Sequence, residues 1–227
     1  MKFTILTLFP QMFIGPINHS IVKRAQEKGM VKIECINIRD FAKDKYKTVD
    51  DHPYGGGVGM IMKVDVVDKA LQHINISKEK AIKILLDPKG KTYTQKVAKA
   101  LTKYEEIVLV CGHYEGVDER VRSLVNETIS IGNYIVTGGE LPAMIIIDSV
   151  TRLIPGVLPQ KATTEESFTD GLLEYPQYTR PFEYKGMTVP EILLSGNHAT
   201  IQQWRNEQAV KLTKKKDLDE LHPEEKR

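Results

Sequence analysis

Apolar residues recur along this chain in two alternating rhythms. Residues 3–8 and 31–38 carry the branched and aromatic side chains of strands, and between them residues 20–28 repeat at helical spacing up to Gly29, a helix-stopping residue. The rhythm then returns: a helix over 64–73, a strand over 81–86, a helix over 94–101 and a strongly apolar strand over 107–111. A short helix over 118–124, a strand near 128–131 and a helix over about 140–153 follow. Strands alternating with helices predict an α/β fold with a parallel sheet flanked by helices.

Beyond residue 153 the pattern changes. Pro155, Gly156, Pro159 and Gly171 bracket a Thr/Glu/Ser-rich stretch, which predicts a flexible linker over 159–171 between a main domain of residues 1–158 and a small helical domain of residues 172–227. Within that last part, 189–194 is short and apolar, 198–212 reads as a longer helix, and the charged tail is expected to fray.

Composition adds limits. The 227 residues are 41% hydrophobic and 27% charged, ordinary values for a folded protein with a real core. The apolar run 143–147 is far too short to cross a bilayer, and the first residues lack the pattern of a signal peptide, so a cytoplasmic location is expected. Cys35 and Cys111 each lie in an apolar strand without CxxC spacing, and both read as small buried residues. The net charge of +2 announces no nucleic-acid binder. Local clusters do exist at Lys23-Arg24, at Lys43, Lys45 and Lys47, at Lys89 and Lys91, and at Lys211 with Lys214-Lys215-Lys216; each could meet phosphates or simply be a solvated surface.

Several chemistries fail on spacing. Gly90-Lys91-Thr92 imitates the end of a phosphate-binding P-loop, yet the upstream glycine position is occupied by Leu85, and no complete GxGxxG is present. The six histidines show neither HExxH nor Cys/His spacing, so no metal ligands are assigned. What remains is three loops expected after strands: 86–90, 111–120 and 131–142. Ligands of parallel α/β folds gather at the carboxyl ends of strands, and glycines there let a ligand approach the backbone.

Those loops also carry a resemblance. Gly112-His113-Tyr114-Glu115-Gly116-Val117-Asp118-Glu119-Arg120 and Thr137-Gly138-Gly139-Glu140-Leu141-Pro142-Ala143 closely resemble the bacterial tRNA (guanine-N1)-methyltransferase family, TrmD. So do Tyr54-Gly55-Gly56-Gly57-Val58-Gly59-Met60, Arg152-Leu153-Ile154-Pro155-Gly156-Val157-Leu158, Pro176-Gln177-Tyr178-Thr179-Arg180-Pro181 and Leu194-Ser195-Gly196-Asn197-His198. The likeness runs through the whole chain in the same order.

The resemblance implies a SPOUT-type domain with a C-terminal trefoil knot, a homodimer with its active site shared between subunits, S-adenosylmethionine as methyl donor, and tRNA with guanine at position 37 as substrate. Magnesium is a further implication. Carried over position by position, the donor site would be Leu86, Pro88, Gly112, Tyr114, Glu115, Ile131, Gly132, Tyr134, Ile135, Val136, Gly138, Gly139 and Pro142. Glu115 would favour the donor's positive charge; its structural alternative is to brace the loop through Arg120 or a backbone amide. Tyr54, Gly55, Gly56, Gly57 and Gly59, with Ser167, would border the target base, although a run of four glycines also suits a plain turn.

Methylation at guanine N1 requires that nitrogen to lose its proton, so a base is needed. The family places an aspartate before Ser-Phe; this chain has Glu166 there, with Glu165 and Asp170 as alternative carboxylates. Arg152 would stabilise charge developing on guanine O6, or cap the preceding helix. Trp204, Arg205 and the lysines near 211–216 would grip tRNA, with Trp204 equally suited to a core. Two rival readings are a SPOUT relative acting on a ribose 2'-oxygen and a non-enzymatic RNA-binding protein.

Overall fold

The computed structural model describes residues 1–74, 80–159, 161–164, 166–168 and 171–221. They form two compact units, Met1–Leu158 and Pro159–Arg227.

The first unit is built on strands β1 (Lys2–Thr7), β2 (Lys32–Asn37), β5 (Ala81–Thr92), β6 (Glu106–Cys111) and β7 (Glu127–Ser130). They pair in the order β2-β1-β6-β5-β7, every neighbouring pair parallel. A two-stranded antiparallel ribbon, β3 (Asp50–Asp51) with β4 (Ile61–Met62), stands apart. The helices are α1 (Ile14–Ile17), α2 (Ser20–Glu27), α3 (Val64–His73), α4 (Gln95–Leu101) and α5 (Glu140–Thr151).

Alternate strand residues face opposite layers, as the two-residue period of a strand requires. Ile107, Leu109 and Cys111 of β6 share one core with Val22 and Ala25 of α2, Ala98 and Leu101 of α4, and Ile146 and Val150 of α5. Val108 and Val110 turn to the other core, where Val66, Val67, Ala70 and Leu71 of α3 cover them. Burial on both faces explains why these strands read as nearly continuous apolar runs. Gly29 follows α2 with φ of +68°, and the Thr94 hydroxyl caps α4 by accepting from Val97 N–H.

The second unit contains α6 (Lys161–Thr164), a hairpin of β8 (Glu183–Tyr184) and β9 (Met187–Thr188), a tight helical turn at Glu191–Leu194, and α7 (His198–Leu221). Lys185 and Gly186 link the hairpin with φ of +53° and +78°, the left-handed pair that a two-residue turn demands. Asn197 starts α7, its side-chain oxygen accepting from Ala199 and Thr200 N–H.

Four expectations change. The loop expected at 86–90 lies inside β5: an irregularity falls between Leu86 and Lys91, and Lys91 and Thr92 then pair with Ile129 and Ser130 of β7. The turn at Glu119–Leu124 is a 3-10 helix capped by Asp118. The last long helix continues past residue 212 to Leu221. Cys35 is only half-buried, whereas Cys111 is fully buried.

Candidate active site

Strand register gathers the three loops of interest. Leu86 stands opposite both Cys111 and Ile129, so the segments that continue from β5, β6 and β7 start side by side at the carboxyl edge of the sheet. Gly139 N–H then donates to Gly112 O at 2.8 Å, bringing the third segment onto the second.

At three of the glycines there, close approach accounts for the missing side chain. A Cβ on Gly139 would sit 2.6 Å from Cys111 Cα; on Gly138, 2.7 Å from His113 Nδ1; on Gly132, 2.7 Å from the Tyr134 ring. Gly112 is less crowded but still tight, with Val117 Cγ1 at 3.3 Å from where its Cβ would sit. Gly90, outside the carried-over set, is packed against the Thr128–Ile129 backbone at 2.6 Å, which accounts for the glycine without any nucleotide.

The segment of residues 55–62 is joined to the same edge. Glu115 N–H donates to Met60 O at 3.0 Å, Met62 N–H to Gly116 O at 2.9 Å and Asp118 N–H to Met62 O at 3.0 Å. Gly55, Gly56, Gly57 and Gly59 all have positive φ, which removes them from the range that other residues adopt easily. Gly59 also admits Glu115, whose Cγ would lie 2.5 Å from a Cβ at that position. Tyr54 is 100% exposed, and neither it nor the nearby Val58 is packed into a core.

Glu115 does not brace the loop through Arg120. Arg120 grips Asp118 instead, at 2.7 and 2.9 Å, and that hydrogen bonding holds the Asp118 carboxyl below the usual carboxylate range. Glu115 is exposed, and Tyr114, with φ of +60°, accepts from Arg39 Nη2 at 3.2 Å.

Sequence reading missed two side-chain pairs. Asp87 accepts from Arg122 Nη2 at 2.8 Å, and Arg122 also meets Glu119 at 2.8 Å; burial opposes the guanidinium charge, but these carboxylates outweigh it and raise its pKa. The Thr7 hydroxyl donates to Glu140 at 2.7 Å across 133 positions of chain. No local signal could have linked either pair.

Leu86 is buried; Ile131 and Val136 are half-buried, whereas Pro88, Tyr134 and Ile135 are exposed. A cavity of about 650 Å³ lies along α5, lined by Ile131, Tyr134 and Val136 together with Ile17, Leu141, Met144 and Ile145. It takes in three of the thirteen donor candidates and none from 86–88 or 112–115. Pro142 is buried within α5.

Arg152 is the residue that ends α5, its N–H donating to Asp148 O at 3.1 Å, and it belongs to the first unit. Glu166 and Ser167 belong to the second unit and are half-buried there. Ser167 Oγ accepts from Glu174 N–H at 2.9 Å. The alternative carboxylates Glu165 and Asp170 lie outside the described residues.

Of the basic clusters, Lys23 pairs with Glu27, Lys47 with Asp40 and Lys89 with Glu119, so each is partly neutralised. Trp204 is half-buried. Arg205 stacks over Tyr175 at 4.6 Å and keeps a buried Nε without a hydrogen-bond partner. Tyr175 and Arg205 border a groove of about 690 Å³ in the second unit, with Tyr178, Arg180, Phe182 and His198 among its other walls. Among the described residues, no three His, Cys, Asp or Glu side chains are placed to hold a metal ion, and no helix is long and apolar enough to cross a membrane.

Comparison with known proteins places this geometry in context. The family model described as tRNA (Guanine-1)-methyltransferase TrmD matches residues 1–223. A tRNA (guanine-N(1)-)-methyltransferase of Staphylococcus epidermidis is 53% identical over 227 residues, covering 98% of this chain and 92% of that protein. The one from Carboxydothermus hydrogenoformans is 54% identical over 222 residues (96% and 87%), and the one from Geobacillus kaustophilus 53% over 227 residues (98% and 93%).

Proposed function

The chain belongs to the tRNA (guanine-1)-methyltransferase family, and from that membership we propose that it methylates N1 of guanine 37 in the anticodon loop of tRNA, using S-adenosylmethionine. The observation that carries the proposal is the meeting of three glycine-bearing segments at the carboxyl edge of β5, β6 and β7.

Those residues fit the donor. Gly112, Gly132, Gly138 and Gly139 bring backbone without side chains to that edge, and Tyr114, Glu115, Ile131, Tyr134, Ile135 and Val136 surround them with Leu86, Pro88 and Pro142. When bound, S-adenosylmethionine supplies an electrophilic methyl group on a positively charged sulfur. Holding the acceptor nitrogen in line with that methyl is the chain's positioning task. Tyr54 and the glycine run 55–59 form the wall against which the flat base rests, an assignment supported by the bonds of the adjoining Met60 and Met62 to the Glu115 segment and by the close approach of Glu115 to Gly59.

Glu166 takes the N1 proton, which frees the nitrogen lone pair. Arg152 faces the charge that this leaves on guanine O6, where a guanidinium is most effective. Ser167 completes the base pocket beside Glu166. The reaction needs two copies of the chain, because the carboxylate of one subunit serves the guanine held largely by the other.

Exposed apolar side chains beside the donor segments, namely Met12, Ile14, Tyr134, Ile135, Leu141 and Ile145, support a homodimer built on this face. Family membership supports threading of the C-terminal part into a trefoil knot. The aromatic and arginine-lined groove of the second unit receives tRNA, in the cytoplasm. The target base must be turned out of its loop, which is easiest for an unpaired one.

Transcripts carrying guanine or adenine at position 37 test the proposal with a methyl-labelled donor. Label is expected on N1 of the guanine transcript alone; equal label on both transcripts refutes the assignment.

A further inference from the structure

A buried carboxylate stands behind the third segment. Glu140, the first residue of α5, is 2% exposed, and none of the ion pairs among the described residues includes it. The Thr7 hydroxyl donates to one of its oxygens at 2.7 Å, while Thr7 itself accepts from Phe9 N–H at 2.9 Å.

The other oxygen lies against Gly138. A Cβ on Gly138 would collide with Glu140 Oε2 and would lie 2.7 Å from His113 Nδ1, a buried atom with no hydrogen-bond partner. The carboxylate is therefore compensated by one hydroxyl and by the amino end of a twelve-residue helix. Burying a carboxylate without a cation is costly, so a positive charge brought close to Glu140 would be favoured.

We infer that Glu140 is a specificity-determining residue: its charge behind Gly138 selects the cationic methyl donor over the neutral thioether left after transfer. The inference rests on the assignment of Gly138 and Gly139 to the donor site. Donor and product share their nucleoside and amino-acid parts, so contacts to those parts hold both alike. The sulfur charge distinguishes them, together with the methyl itself. A fixed carboxylate in a poorly solvated wall acts on that charge with little screening by salt. Gly138 matters because any side chain there would push the carboxylate away.

Calorimetric affinities for S-adenosylmethionine and for its thioether product test this in the parent, in Glu140→Gln and in Thr7→Val. The preference for the cation, taken as the ratio of the two dissociation constants, is expected to fall about tenfold in Glu140→Gln. A smaller fall in the same direction is expected in Thr7→Val, and an unchanged ratio in Thr7→Ser, which keeps the hydroxyl. Because a ratio is read, a general loosening of the pocket that weakens both ligands equally overturns the inference. Failure of the parent to bind either ligand defeats the donor-site assignment instead. Should Glu140→Gln not fold, Thr7→Val decides: an unchanged ratio there overturns the inference.

Discussion

Adding one methyl group at Gly139 should disable the site by sterics alone. The residue has φ of −75° and ψ of −5°, values open to any amino acid, so Gly139→Ala carries no backbone penalty. Its Cβ, however, would sit 2.6 Å from Cys111 Cα and 3.0 Å from Gly112 N. Carbon atoms rest about 3.5–4.0 Å apart, so one side must retreat by roughly 1 Å. Cys111 is fully buried and ends a strand held between β1 and β5, which leaves the 137–139 segment to move. That retreat stretches the bond from Gly139 N–H to Gly112 O.

Overpacking of this kind costs about 1–3 kcal/mol, and the weakened hydrogen bond adds about 1 kcal/mol. For a chain of this size the melting temperature should fall by roughly 4–16 °C. Donor affinity, measured by calorimetry on the folded protein, should drop at least about tenfold. Two controls separate space from conformation. Gly15 has nothing within 4 Å and no positive φ, so Gly15→Ala should be neutral or stabilise by up to about 1 kcal/mol; Gly55 is equally open but has φ of +86°, so Gly55→Ala should cost about 1 kcal/mol. A Gly139→Ala protein that melts within about a degree of the parent and keeps its donor affinity would refute the close-packing reasoning.

Glu166→Gln should bind donor and tRNA normally while single-turnover transfer falls by about a hundredfold or more; an unchanged rate would move the base role to another carboxylate. Arg122→Gln should lower stability by about 1–3 kcal/mol in urea titration, because it leaves the Asp87 carboxylate, which is 12% exposed, with the Lys89 N–H but without its cation; a loss below about 0.5 kcal/mol would show the pair to be dispensable. Burial raises the Tyr93 hydroxyl from 10.0 to about 12. A value raised by folding gives stability that is complete below about pH 10 and is lost as pH climbs from there toward about 12, of order 2 kcal/mol in all. Ultraviolet titration should find one late-ionising tyrosine that disappears in Tyr93→Phe; ionisation of all tyrosines near pH 10 in the folded protein would contradict its burial.

Much of the scaffold is legible in the sequence because its causes are local. The helical spacing of Val66, Val67, Ala70 and Leu71 marks α3, Gly29 ends α2, and the unbroken apolar run of β6 announces a strand covered on both faces. Glycines after the strands mark which edge of the sheet carries the site. Residues 87–92 mislead for the same reason: Asp87, Pro88 and Gly90 are turn formers by local chemistry and do form an irregularity, but the pairing of Lys91 and Thr92 with β7 carries the strand on past them. The lysine-rich end of α7 likewise looks too polar to hold a helix, yet the helix continues to Leu221.

What tertiary structure alone decides is which side chains meet. Thr7 finds Glu140, Asp87 finds Arg122, and Arg120 takes Asp118 rather than Glu115. Periodicity and turn propensity act over a few residues, so they can set the elements and their order. A hydrogen bond across 133 positions depends on how whole elements pack, and so does the space that remains beside a glycine. The chain by itself therefore determines the sheet, its helices and the edge at which chemistry is placed, whereas packing determines the charges and gaps that give that edge its selectivity.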